Sequence, residues 1–247
     1  MKIVEITEYL ENYFPLELQM SYDNCGLQIG DLNQDVKAMM VALTLDSDVI
    51  EEAISQDIHF ILCHHPYFFN GIKCIDLNDH NGKIIQKCIE HHITVYALHT
   101  CLDIGITESM NLWIAKELGL KDCVKTLENL VVEGTVEPTD TVTLAKKVKE
   151  LFHLEGVRYT YPADIQRVAI CGGSGAEFID ALVNKVDCYI TGDTKYHEMQ
   201  AAYEKKLSVI DAGHFLENIM VEKTKELLEN IDIKVVTSNQ KDYYHYL

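Results

Sequence analysis

The chain predicts an α/β fold built as two lobes with mostly parallel sheets. Strand-like apolar runs alternate with segments of helical period along the whole chain, the pattern of strands joined by helical crossovers. The alternation comes in two successive series of similar length, and 247 residues suit two cores of about 100–150 residues each. The expected division is 1–125 for the first lobe, with 230–247 able to rejoin it, and 126–229 for the second. The break is placed near 121–129, where Lys121 and Asp122 open a stretch of mixed polarity.

In the first series, Ile3, Ile6, Tyr9, Leu10 and Tyr13 recur at helical spacing, predicting a helix over 4–13 that Pro15 ends. Residues 38–43 read as a buried strand. Asp46, Ser47 and Asp48 then supply capping side chains for a helix over 48–56. Strands follow at 58–63 and 93–98, with helices at 79–90 and 107–118 and Gly119 as the last helix's stop.

In the second series, 130–132 and 134–136 are apolar but lie close to Pro138, so their pairing is open. Asp140 or Thr141 caps a helix reaching about Phe152. Strands are expected at 168–171, 187–191, 208–210 and 231–236, and helices at 176–184, 196–205 and 214–228. The aromatic tail from Tyr243 to Leu247 is expected to pack on a neighbour.

Composition narrows the function. Lys and Arg number 21 against 39 Asp and Glu, a net charge of −18. Phosphate backbones and anionic membranes are recognised through Lys and Arg, so nucleic acid and membrane are not expected as partners. No apolar run reaches the ~20 residues a membrane helix needs, and 1–5 does not read as a signal peptide, so a cytoplasmic setting is expected. The eight Cys contain no C-x-x-C pair, and several lie inside apolar runs, as Cys63 does. They read as small apolar filling in a reducing compartment.

The eleven His are less ordinary. His91 and His92 read as a polar helix end. In open α/β sheets, however, ligands gather beyond the carboxyl ends of strands. Strand 58–63 runs into His64 and His65, strand 93–98 into His99 and Asp103, and strand 208–210 into Asp211, His214 and Glu217. Mixed imidazole and carboxylate donors suit Zn, Fe, Mn or Co rather than Ca or Mg alone. His64, His65, Asp103, His214 and Glu217 exceed the three protein ligands of one open site and fit two ions about 3.5–4 Å apart. His214 and Glu217, three residues apart, can share one helical face. The metal site is expected in the cleft between the lobes.

Other groups have two readings. Gly172, Gly173, Ser174 and Gly175 join a strand to a helix; their N–H groups could hold a phosphate, or the glycines could serve a tight turn. Lys195 is a possible counter-charge. Asp193 or Thr194 reads as a helix cap. His99 and His197 are candidate proton carriers, since imidazole titrates near neutrality.

The segment from Ser21 through Gly30 (SYDNCGLQIG) resembles the Trp-Asp-Asn-x-Gly-Leu-x-x-Gly opening of the Nif-three-like family, also called YbgI-like or GTP cyclohydrolase I type 2. His64-His65-Pro66, His99-Thr100-Cys101-Leu102-Asp103, the Gly-rich turn, 190–197 and 211–217 are similar to its later segments, in the same order. Tyr22 stands where Trp is common, and Glu217 follows His214 by three residues where many members have four. The resemblance implies two divalent ions per chain, with His65 and Asp103 on one, His64 and His214 on the other, and Glu217 bridging. It also implies a two-lobed chain assembled into a toroidal homohexamer with the metals facing an internal cavity.

The activity so implied is a metal-dependent GTP cyclohydrolase: GTP and water give formate and dihydroneopterin triphosphate. A non-catalytic metal-binding scaffold and a metal phosphatase or nuclease are the alternatives, and the −18 charge weighs against the last. An acidic chain that binds an acidic nucleotide must keep its negative charge on its outer face. The metals, the Gly-rich turn and Lys195 would then make the cavity locally positive.

Overall fold

A computed structural model describes residues 1–247. The chain begins with α1 (Ile3–Glu11), a 3₁₀ turn (Leu16–Leu18), β1 (Gly26–Ile29), β2 (Ala38–Ala42), α2 (Ser47–Ser55), β3 (Phe60–Cys63), α3 (His80–Glu90), β4 (Thr94–Ala97) and α4 (Thr100–Ile104). It continues with α5 (Met110–Leu118), β5 (Lys121–Thr126), β6 (Val131–Asp140), α6 (Thr141–Leu151), β7 (Arg158–Tyr159) and β8 (Asp164–Ile170). A 3₁₀ turn (Ala176–Phe178), α7 (Ile179–Leu182), β9 (Cys188–Thr191), α8 (Tyr196–Glu204) and β10 (Ser208–Asp211) follow. A last 3₁₀ segment (His214–Asn218), α9 (Ile219–Leu227) and β11 (Lys234–Thr237) complete the order.

This is a mixed α/β fold with two sheets. The chain divides into one unit of Met1–Ser109 with Met220–Lys241 and another of Met110–Ile219 with Asp242–Leu247. In the first, five strands run β1-β4-β3-β2-β11. β11, β2, β3 and β4 are parallel, and β1 pairs antiparallel with β4. Every residue of β3 and of β4 is buried, as expected of parallel strands covered on both faces. Met40, Ile61, Val95, Ile50, Ala53 and Ile84 pack into one core against the sheet.

In the second unit, six strands run β5-β6-β8-β9-β10-β7. β8, β9 and β10 are parallel, while β5, β6 and β7 join antiparallel. The parallel character therefore holds for the centre of this sheet and not for its edges. Tyr189, Val209, Ala169, Leu182 and Ala202 form its core. No helix is long and apolar enough to cross a membrane.

Several elements differ from the sequence expectation for physical reasons. The expected break at 121–129 falls inside the second unit: Lys121–Thr126 is β5, paired with β6 despite its polar surface. An edge strand needs only one apolar face, which leaves little periodic signal. The ambiguous residues around Pro138 form one long strand. Its register against β8 shifts between Thr135 and Thr139, where Pro138 has no N–H to give the ladder. The helix expected over 176–184 shrinks to a 3₁₀ turn and the four-residue α7. The C-terminal strand does rejoin the first sheet, beside β2, but 242–247 cluster with the second unit.

The predicted caps at Asp46 and Asp140 are in place. Asp46 Oδ1 accepts from Val49 N at 2.8 Å, and Asp140 Oδ1 accepts from Val142 N at 2.9 Å. Asp46 also has a long-range partner, because its Oδ2 accepts from Gln240 Nε2 at 2.7 Å. Gln240 in turn exchanges bonds with Thr44, at 3.0 Å to its N–H and 3.1 Å to its carbonyl. One carboxylate thus caps α2 and pins the segment after β11. Asp46→Ala should cost about 1–2 kcal/mol in urea unfolding, and limited proteolysis should then cut first near Gln240.

Candidate metal centre

The first unit's donors follow from its sheet. β2, β3 and β4 lie side by side and parallel, so their carboxyl ends bring Thr44, His64, His65 and His99 to one edge. His64 Nδ1 donates to the Leu98 carbonyl at 2.8 Å. A carbonyl can only accept, so the proton sits on Nδ1 and Nε2 is the nitrogen left for a ligand role. That Nε2 lies 3.8 Å from Asp103 Oδ1, a pairing of donor atoms that a metal ion could bridge. His65 Nδ1 is 2.6 Å from Thr44 Oγ1. Donor atoms of His64, His65 and His99 all lie within 4.8 Å of one another. The His99 ring centroid is 5.0 Å from that of His64 and 5.8 Å from that of His65.

His99 and Asp103 sit at the start of α4 and within it, a short helix the sequence pattern does not announce. Its support comes from Asp23, a side chain with no exposed surface. Asp23 Oδ1 accepts from His99 Nδ1 at 2.8 Å, and Oδ2 accepts from Thr100 N at 2.9 Å and from the Thr100 hydroxyl. Burial alone would raise this carboxyl's pKa. The bonds from His99 and Thr100 outweigh burial and hold it well below its ordinary value of 3.8. Asp23 thus orients one imidazole and caps the helix that carries Asp103. The only sequence signal for it is its place in the SYDN segment. Cys25 belongs to the same group, with Sγ 3.3 Å from Asp23 Oδ2 and accepting from His99 N at 3.4 Å, so it is not mere apolar filling.

The second unit repeats the principle with a different sheet. β8, β9 and β10 end together at the Gly-rich turn, at Gly192-Asp193 and at Gly213-His214. Asp211, 3% exposed, binds two of these loops, accepting from Gly213 N at 2.9 Å and from Thr194 N at 3.2 Å. Asp193 is not the helix cap expected of it. Lys195 occupies the cap position of α8, and Asp193 Oδ2 accepts from His214 Nδ1 at 2.6 Å.

His214 and Glu217 begin a 3₁₀ segment rather than the expected α-helix. Three residues per turn place i and i+3 directly above one another, and His214 Nε2 lies 3.1 Å from Glu217 Oε2. The bond to Glu217 leads in pushing the imidazole's pKa up to about 10. Burial opposes it, and the Glu217 and Asp193 charges add to it.

The Gly-rich turn seats Glu217. Gly173 has φ of +62°, and a Cβ there would stand 2.5 Å from Glu217 Oε1. Gly172 N donates to Asn111 Oδ1 at 2.7 Å and Gly175 N to Thr191 Oγ1 at 3.1 Å. Two N–H groups counted toward a phosphate cradle are therefore already committed inside the fold. Ser174 is exposed. Lys195 and His197 lie exposed on the outer start of α8, where His197 Nδ1 is 3.2 Å from Gln200 Oε1.

The class is a mixed α/β protein with histidines and carboxylates gathered beyond parallel strands in both units, groups of a kind that could hold a metal ion. The profile of Duf34/NIF3 (NGG1p interacting factor 3) matches residues 1–243. A Streptococcus pneumoniae protein named GTP cyclohydrolase 1 type 2 homolog is 34% identical, with 98% of each chain covered. The NIF3 homolog of Schizosaccharomyces pombe is 30% identical, covering 95% of this chain and 94% of its own. The crystal structure of a Staphylococcus aureus protein superposes with a TM-score of 0.92 at 28% identity, covering 100% and 99%. The chain belongs to the NIF3 family.

Two consequences can be measured. Asp23→Asn should lower stability at pH 7, because the ionised carboxylate is the stabilising form. A depressed folded pKa means that wild type's advantage is present above 3.8 and shrinks as pH falls below it. Thermal melts at pH 7 and at pH 3 should show a gap that narrows in acid. Gly173→Ala meets both the positive φ and Glu217, and should cost about 1–3 kcal/mol. Gly71, where an added Cβ would meet nothing within 4 Å, gives a near-neutral control in the same denaturation series.

Proposed function

We propose that the protein is a metal-dependent hydrolase of nucleotides, most concretely a GTP cyclohydrolase releasing formate and dihydroneopterin triphosphate. The observation that supports a metal ion in this reading is the tautomer at His64, whose Nδ1–H is spent on Leu98 while Nε2 faces the Asp103 carboxylate. The GTP reading rests on the relatives' names. His64, His65, Asp103, His214 and Glu217 are the proposed protein ligands of two divalent ions, with Zn, Fe, Mn and Co all suited to N and O donors. When bound, such ions supply Lewis acidity and make water a usable nucleophile near pH 7.

The chain's own groups divide the remaining work. Thr44 and the Leu98 carbonyl hold His65 and His64 in ligand orientation. Asp193 holds His214 through Nδ1, and ligation requires His214 to give up the proton that its two carboxylates favour. His99 is 21% exposed, with Nδ1 fixed on Asp23, so Nε2 is its proton-carrying atom. His197, engaged with Gln200 on an exposed helix, is the weaker candidate for that task. The proposed assembly is a toroidal homohexamer in the cytoplasm.

Metal analysis with a formate-release assay on GTP tests this reading. Wild type should hold two equivalents of metal and turn over, and His65→Ala should lose metal and about 100-fold or more in rate. Less than one metal per chain overturns the dinuclear site, and activity surviving in His65→Ala overturns its role. Metal-loaded protein inert on every nucleotide would instead be a binding scaffold.

A further inference from the structure

Two aromatic side chains stand in solvent beside the first unit's histidines. Tyr22 is 57% exposed and Phe69 43% exposed, and their ring centroids are 6.4 Å apart. They come from separate loops that are bonded to each other. Asn24 Nδ2 donates to the Phe68 carbonyl at 2.7 Å, and Phe68 N donates to Gln28 Oε1 at 3.1 Å. Phe69 also meets the His99 ring edge-on, with centroids 5.9 Å apart. A continuous path of rings therefore runs from Tyr22 through Phe69 and His99 to His64 and His65.

We propose that Tyr22 and Phe69 are a stacking platform that holds a planar heteroaromatic ring, a nucleobase or a fused-ring relative of one, against the histidine cluster. The role assigned to that ring rests on the nucleotide-hydrolase reading above. The core does not need these side chains, because both keep much of their surface in water. Their placement is fixed by bonds between the loops rather than by burial, and a preordered face loses little entropy when a ring settles on it. The nearby polar groups, Asn24 in the loop and Gln28 in β1, already serve the backbone. The platform thus offers a π-face with few hydrogen bonds to read the ring's edge, and it discriminates ring from sugar far better than one base from another.

Tyr22→Trp places a fluorophore on the platform, while the native Trp113 is 4% exposed and gives a steady background. Titration with GMP and with AMP should quench this variant saturably, and ribose 5-phosphate should not. Adding Phe69→Ala should weaken both nucleotides about 10- to 100-fold, with metal content and melting temperature unchanged. Phe69→Leu, which keeps apolar bulk without a ring, should weaken them similarly, and Phe69→Tyr should restore binding. Absence of saturable quenching, an equal response to ribose 5-phosphate, or affinity unchanged by Phe69→Ala overturns the platform. So does fluorescence that changes with protein concentration alone, which would assign the face to a second copy of the chain. Nucleotide binding without formate release from GTP upholds the platform and overturns the GTP cyclohydrolase reading; formate release without quenching does the reverse.

Discussion

An imidazole has two nitrogens, and it can offer one to a cation in a fixed direction only when the other is held. Every candidate histidine near the strand ends obeys this constraint. The Leu98 carbonyl holds His64, the Thr44 hydroxyl holds His65, Asp23 holds His99 and Asp193 holds His214. Three of these partners are themselves products of the sheet order. Leu98 and Thr44 closely follow β4 and β2, and Asp193 lies in the loop after β9. Parallel strands thus supply both the histidine and the group that orients it.

The fourth partner, Asp23, comes from outside the strand ends and does more. Its carboxylate is buried, yet it stays ionised because it receives three donors from His99 and Thr100. An unpaired buried charge would cost far more than this arrangement does. The same interaction caps α4, so the geometry of His99 and of Asp103 depends on one side chain. His214 shows the complementary case. Glu217 and Asp193 push its pKa up to about 10, so a metal ion taking this nitrogen would have to displace a firmly held proton.

The central strands were legible because parallel strands covered on both faces must be apolar throughout. The runs ending at Ala42, Cys63, Ile170, Thr191 and Asp211 needed no tertiary knowledge. Of the edge strands, β11 was legible in 231–236, and the other three were not. β1, β5 and β7 are short or polar, and what orders them is the neighbouring strand, which a local pattern cannot carry. In the site, His64, His65, His99, Asp103, His214 and Glu217 stood out by their position after strands. Asp23 and Asp193 did not, because an orienting carboxylate reaches its histidine across 76 and 21 residues of chain. Asp193 also fitted a bland local explanation as a cap. The Gly-rich turn invited a ligand reading for a similar reason: the glycine requirement was visible, but Glu217, which creates it, lies far along the chain.

The spacing of His214 and Glu217 ties these points together. On an α-helix, three residues leave two side chains offset by about 60°. On the 3₁₀ segment they are eclipsed, and the two groups meet at 3.1 Å. The tighter winding also carries Glu217 close over the backbone of Gly172 and Gly173, where no Cβ intervenes. A three-residue spacing, a 3₁₀ turn and a glycine at positive φ are therefore one device. Relaxing the segment into an α-helix would rotate Glu217 off His214, while the positive φ of Gly173 would still favour glycine. The departure of this chain from a four-residue spacing is thus compensated within the same unit, by the winding of one turn and by the bare backbone of another.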